Sequence, residues 1–240
     1  TKHLDNIMSY RPDTDQLIAS HNFYPMRYSG LARSHFEKTT AQFNNYHLNT
    51  AAFVTSQVGE IGPWPVQTGL CTLEEHRDLP IAVQVTHLRE LGGIDDIIIG
   101  NAYASDEELE AAAKAFFSPH LQIPVTVHKT ATDLDRKLLF DEIHVYRGDH
   151  SDYMIRSTMT RVKFKAEDFP PANTPEEIVA GDLLIGNDNF GQYKGETQVA
   201  LRTMKQEGQL NVVGAVHLNA LSLIEDMSPW SSFEFYEVEA

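Results

Sequence analysis

"DDIIIGN", residues 95–101, sets three consecutive isoleucines between two aspartates and a Gly-Asn pair. A strand with one wet face alternates apolar and polar residues, whereas an unbroken apolar run is what a parallel strand covered on both faces requires. The segment therefore reads as a parallel strand, and its neighbours agree. Upstream, Pro80 suits a first helical turn, Ile81, Val85 and Leu88 form a buried stripe, and Gly92 ends the helix. Downstream, Ser105 and Glu108 have capping-box spacing ahead of an amphipathic stripe of Leu109, Ala112 and Phe116. The same grammar runs back toward the N-terminus. "NTAAFVTSQ" (49–57) is a second strand, preceded by a helix to about His47 with Phe36, Phe43 and Tyr46 on one face. "LIAS" (17–20) is another short strand. A long loop with Gly62, Pro63, Trp64, Pro65 and Gly69 follows the 49–57 strand, and Thr72 and Glu75 again have capping-box spacing.

After about residue 121 the pattern changes. "IPVTVHK", "DEIHVYRG", "YMIRSTMT", "RVKFKAE", "GDLLIGN", "TQVALRT", "NVVGAVHL" and "FEFYEVE" are short, rich in β-branched and aromatic residues, and separated by turn residues. Such a series predicts an antiparallel barrel or sandwich. The expected organisation is an α/β domain over 1–121 and a β domain over 122–240.

The chain of 240 residues carries a net charge of −15, which repels nucleic acid and anionic membrane as partners. The charge is uneven: residues 123–165 hold 8 Lys/Arg against 6 Asp/Glu, whereas the remaining residues hold 11 against 28. That local excess suits an anion site. Cys71 is the only cysteine, so an intrachain disulfide and a cysteine-rich metal site are both excluded. A lone cysteine fits a reducing compartment, no apolar run approaches the length of a membrane span, and no signal peptide opens the sequence. Eleven histidines occur without metal-ligand spacing, so no metal and no cofactor is expected.

Each of the three parallel strands ends in polar side chains: His21, Asn22 and Tyr24; Thr55, Ser56 and Gln57; Asn101 and Tyr103. In a βα barrel the strand C-termini and their loops build the active site. Three strands cannot close a barrel, so its first strands are expected to be absent from the sequence.

The blocks "SHNFYPMRYSGL", "AAFVTSQ", "GPWPVQTGLCTLEEHRDLP", "DDIIIGNAYAS", "IRSTMTR" and "GDLLIGNDNFGQYKGETQVAL" resemble the bacterial 6-phospho-N-acetylmuramidase family, whose members are often labelled outer surface proteins. The resemblance covers nearly the whole chain. It implies the last βα units of a TIM-like (β/α) barrel followed by a cyclophilin-like antiparallel β-barrel. It also implies a glycosidase, a cytoplasmic hydrolase of peptidoglycan recycling that cleaves a disaccharide of 6-phospho-N-acetylmuramic acid and N-acetylglucosamine. The name cyclophilin-like carries no isomerase activity with it. Two other readings stay open: a non-catalytic sugar-phosphate-binding protein, and a phosphosugar isomerase or epimerase on the same barrel.

Glycoside hydrolysis usually needs two carboxyl groups. Glu74, Glu75, Asp106, Glu107 and Glu108 fit helix first turns instead, Asp95 and Asp96 lie at the wrong strand end, and Glu60 sits in a long loop. The catalytic residues are therefore unknown and expected in the absent strands. His21, Asn22, Tyr24, Gln57 and Asn101 are the expected sugar-binding groups, with Trp64 or Tyr103 covering an apolar sugar face and Asp149 beside them. For the phosphate, arginine offers a planar fork. Arg156 is the first choice, with Arg147 and Lys194. Arg156 and Arg161 differ by an odd number and would face opposite sides of one strand. "GNDNFGQYKGE" (186–196) reads as a tight loop that can also present Asn189, Tyr193 or Lys194 to a ligand.

Overall fold

The computed structural model describes residues 2–63, 65 and 68–239. The chain divides into two compact units, Thr1–Phe117 and Ser118–Ala240.

The first unit runs α1 (Lys2–Ser9), β1 (Ile18–Ser20), α2 (Arg33–Asn45), β2 (Asn49–Val54), α3 (Ile81–Leu91), β3 (Asp96–Ile99) and α4 (Asp106–Phe117). β2 pairs in parallel with β1 on one side and β3 on the other. Ala52 and Val54 of β2 pack with Phe36, Leu73, Ile81, Val85, Leu88 and Ala115, so the alternating stripes of α2, α3 and α4 make the core. A smaller cluster joins Leu4 of α1 to Ala19 and Leu48, with Phe43 and Tyr46 against it.

The isoleucine run is a parallel strand, but it is not covered on both faces. Ile98 is 39% exposed and Ile18 of β1 is 65% exposed, because each lies on an edge of a three-stranded sheet. Capping also differs from the pattern. Thr72 donates its hydroxyl to Asn22 O and accepts from Phe53 N, and Glu75 pairs with Arg33, so no Thr72–Glu75 box forms. Ser105 does cap Glu108 N, but the Glu108 carboxylate turns away to Ser56 and Gln57 N. In both cases a tertiary partner outcompetes the local one.

The second unit runs β4 (Leu121–Val127), α5 (Asp133–Phe140), β5 (His144–Val145), β6 (Met154–Ser157), α6 (Met159–Lys163), β7 (Glu177–Ile178), β8 (Asp182–Gly186), β9 (Thr197–Ala200), β10 (Met204–Lys205), β11 (Leu210–Val216), α7 (Leu221–Asp226) and β12 (Ser232–Glu237). Seven strands form one sheet in the order β5-β12-β4-β11-β8-β9-β6, while β7 and β10 make a separate ribbon. Arg147 N, just past β5, donates to Arg156 O in β6 at 3.1 Å, so the two edge strands meet and the sheet is a nearly closed barrel. The expectation of a wholly antiparallel barrel is corrected: β12 runs parallel to β4. "RVKFKAE" is not a strand either; its first residues complete α6. Gly214 in β11 stands at a register shift where a Cβ would lie 2.3 Å from Thr126 O, so only glycine admits that approach.

Candidate functional site

The loops beyond the three parallel strands interlock. Tyr24 N donates to Cys71 O, and Arg77 holds Tyr24 O, Thr68 O and Gly69 O while its other nitrogens take the Glu74 carboxylate. Glu74 in turn accepts from Tyr28 N and Gly30 N. This ring of donors, Arg77 foremost, pulls the Glu74 carboxyl down to about 2. Arg27 likewise holds the Asp78 carboxyl below its ordinary value. Around these pairs lies an open cavity of about 810 Å³ lined by Arg27, Tyr28, Arg33, Glu37, Glu74, Glu75 and Asp78 among others. Glu74 and Asp78 are thus fixed as anions and unsuited to donate a proton to a leaving group.

Most of the strand-end side chains singled out from the sequence act as fasteners. His21 is buried against Phe36 and Phe43 and bonds Thr40 at 2.8 Å; burial, with His35 nearby, lowers its pKa to about 4. Asn101 accepts from Thr55 Oγ1 and Ser56 N and donates to Ser56 O and Gly59 O. All four of its hydrogen-bonding valences are used, which leaves none for a sugar. The Gln57 amide donates to Arg77 O and Leu79 O. The Asn22 side chain accepts from Phe23 N, half-buried Tyr24 is held through its backbone, and Tyr103 is 80% exposed. None of these six lines the large cavity. Trp64 lies outside the described residues.

The second unit concentrates its charge differently. Glu196 is fully buried, and its carboxylate receives Arg156 Nε at 2.7 Å, Gln198 Nε2 at 3.0 Å, Thr158 Oγ1 at 3.4 Å and Arg161 Nε at 3.5 Å. The guanidiniums of Arg156 and Arg161 both lie over the Tyr193 ring, at 5.4 and 5.1 Å. The parity expectation therefore fails for a simple reason. β6 ends at Ser157, α6 begins at Met159, and the change of period brings Arg161 back to the same carboxylate. Arg147 is held by Asp149 through two bonds and reaches Thr158 Oγ1. Arg156 Nη1 is 3.9 Å from Asp149, while Nε and Nη2 make the bonds to Glu196. Three guanidiniums face two carboxylates here, leaving one positive charge in excess. Lys194 is apart from this group, 3.4 Å from Asp188, and Asn189 bonds Gly208 O. A cavity of about 400 Å³ opens beside the cluster, lined by Asp149, His150, Ser151, Met154, Arg156, Phe190, Tyr193 and Gln198.

Glu196 and Gln198 are the residues missed from the sequence. In "GETQVAL" Glu196 looks like an ordinary surface acid; only the antiparallel pairing of β6 with β9, which sets Arg156 opposite Gln198, shows what it neutralises. Among the described residues no group of three or more His, Cys, Asp or Glu side chains is placed to hold a metal ion. Nor is any helix among them long and apolar enough to cross a membrane.

These features define a two-unit α/β and β-barrel protein with a partly apolar cavity beside an arginine cluster in its barrel. Residues 1–114 match the family 6-phospho-N-acetylmuramidase, N-terminal, and residues 121–236 match 6-phospho-N-acetylmuramidase, C-terminal. The chain belongs to the 6-phospho-N-acetylmuramidase family. It is similar to an uncharacterized Bacillus cereus protein of known structure, at 42% identity and a TM-score of 0.90, over 99% of this chain and 68% of that one. A conserved Enterococcus faecalis protein of unknown function shares the fold, at 19% identity and a TM-score of 0.73, over 98% of this chain and 63% of that one. No curated protein matches at a significant level.

Proposed function

We propose that the protein is a glycosidase acting in the cytoplasm on a 6-phospho-N-acetylmuramyl disaccharide during cell-wall recycling, and that Arg156 reads the phosphate. The family supports a phosphorylated sugar as substrate. The observation that carries the phosphate role is the geometry of Arg156. Glu196 anchors one side of its guanidinium, Tyr193 lies beneath it, and the residue borders a cavity large enough for a single sugar ring. An arginine held so is preorganised and loses little further side-chain entropy on taking an oxyanion. Arg147 supports it by occupying Asp149, which otherwise repels the anion. In the first unit, Asn22, Tyr24 and Tyr103 keep side-chain donors for sugar hydroxyls, while the residues that cleave the bond stay unassigned.

The test is incubation with the phosphorylated disaccharide and detection of released N-acetylglucosamine, which separates hydrolysis from simple binding and from isomerisation. A hydrogen bond to a charged group is worth roughly 1.5–3 kcal/mol. Arg156→Ala should accordingly lower turnover of the phosphorylated substrate by about tenfold to a hundredfold, with a much smaller loss on the unphosphorylated analogue. Equal losses on both, with the fold intact, would remove Arg156 from the phosphate role.

A further inference from the structure

His150 borders the same cavity as Arg156 and is exposed, so its ring is open to whatever that cavity holds. The loop that carries it is tied at several points. Arg147 N donates to Arg156 O at 3.1 Å, Tyr146 N to Ser231 O at 3.0 Å, and Trp230 N to Tyr146 O at 2.8 Å. The Trp230 ring fills the space that a Cβ on residue 148 would need, 2.2 Å from Cζ2, so the chain passes that point only as Gly148. On either side of His150, Asp149 is spent on Arg147, and Ser151 Oγ accepts from Tyr153 N. The imidazole itself lies against the buried Tyr146 ring at 6.0 Å and has no hydrogen-bond partner among the described residues. Both of its nitrogens are therefore open to a ligand.

The charge around the cavity shows what such a group can add. Arg147, Arg156 and Arg161 face Asp149 and Glu196, one positive charge in excess. A phosphate monoester carries about −1.5 to −2 at neutral pH, more than this excess offsets. Of the other side chains that line the cavity, His150 alone can become a cation. Ser151 and Tyr193 offer neutral hydroxyls, and the Gln198 amide already donates to Glu196. The charged groups around His150 are Asp149 and Asp152 of its own loop, Arg156 in β6, and Arg202 and Glu225, which line a second cavity that His150 also borders. The acids attract a proton to the ring and the arginines oppose it. An anion bound at Arg156 adds the negative charge that favours the imidazolium.

We propose that His150 is a specificity-determining residue which binds the phosphoryl group as an imidazolium together with Arg156, and so selects a doubly charged phosphate over a singly charged anion of the same shape. This rests on the phosphosugar reading above. The experiment compares N-acetylglucosamine 6-phosphate with N-acetylglucosamine 6-sulfate, two tetrahedral esters that differ by roughly one negative charge at neutral pH. Binding of each is measured by calorimetry to the wild type, His150→Gln and Arg156→Ala. The wild type should prefer the phosphate by about tenfold or more, as expected for a hydrogen bond strengthened by charge. In His150→Gln, which keeps a donor but carries no charge, phosphate affinity should fall about tenfold while sulfate affinity hardly changes. The preference then approaches one. Arg156→Ala should weaken both probes and leave a preference for phosphate. A wild-type ratio near one overturns the proposal, and that measurement needs no variant to fold. A preference that survives in His150→Gln overturns it as well, as do equal losses on both probes there, the mark of a merely structural role. Failure of both probes to bind the wild type would overturn the phosphosugar reading and this proposal with it. Undiminished affinity in Arg156→Ala, with the preference still lost in His150→Gln, would keep His150 and remove Arg156 from the phosphate role, so the two residues' roles fail separately.

Discussion

Arg77 in the first unit and Arg156 in the second each grip a glutamate two-handed, yet the two pairs do different work. Arg77 is 3% exposed, and its remaining nitrogen is shared among three loop carbonyls. It is a clamp, closed on its own chain. Arg156 also grips a fully buried carboxylate, but it is itself partly exposed, it borders a cavity, and its Nη1 lies 3.9 Å from Asp149. The lesson is that a guanidinium–carboxylate pair becomes a recognition device only through what it leaves unsatisfied. Where every donor is spent, the pair is architecture.

The largest expected effect tests the clamp. Arg77→Ala leaves three loop carbonyls without their donor while Glu74 keeps Tyr28 N and Gly30 N, and since each unsatisfied buried acceptor costs about 1–3 kcal/mol, a loss of several kcal/mol follows. A denaturation midpoint within error of the wild type would show that Arg77 is not the fastener of these loops.

Acid should sharpen the contrast between the units. Burial lowers His144 in the second unit to about 4, as it does His21 in the first, and it holds His76, which faces His87, well below the ordinary value. These imidazoles are neutral when folded, so their contribution is whole above about pH 6.5 and is lost as pH falls toward 4, where the unfolded chain takes up protons first. For His144 the loss reaches up to about 3 kcal/mol. Glu74 acts in a lower window: its pKa of about 2 makes its contribution whole above about 4.5 and lost below. With two such histidines against one, the first unit should open before the second as pH falls toward 4. Amide exchange followed by mass spectrometry from pH 7 to 4 checks this; earlier exchange in β8 and β11 than in β2 would refute it.

A smaller effect is expected at the other pair. Glu196→Gln keeps the shape but removes the charge, and its arginines still reach water, so a stability loss of about 1–3 kcal/mol follows. Phosphosugar affinity should fall with it, since Arg156 loses its anchor; a variant that binds as tightly as wild type would show that the anchor is dispensable. Smallest of all is Arg27→Ala. Its partner Asp78 is mostly exposed, and such pairs are screened by water and salt. No measurable change in the denaturation midpoint is expected, whereas a clear shift would place Arg27 in the clamp with Arg77.

Local pattern was enough to read the parallel strands, the stripes of α2, α3 and α4, and the change to short strands after residue 121, because periodicity and turn residues are properties of neighbours in the chain. It could not show that Ile98 stays partly exposed, that Thr72, Glu75 and Glu108 abandon their boxes, or that β12 joins β4 in parallel, since each depends on a partner dozens of residues away. The strand-end polar residues illustrate the same limit. Asn101 looks like a ligand group until its four valences are traced to Thr55, Ser56 and Gly59. Glu196 and Gln198 look like ordinary strand residues until strand pairing sets them against Arg156. The residue types and their chemistry are written along the chain. Which of their hydrogen-bonding valences remain free is decided only when distant segments pack together, because burial is what makes an unpaired group costly and therefore meaningful.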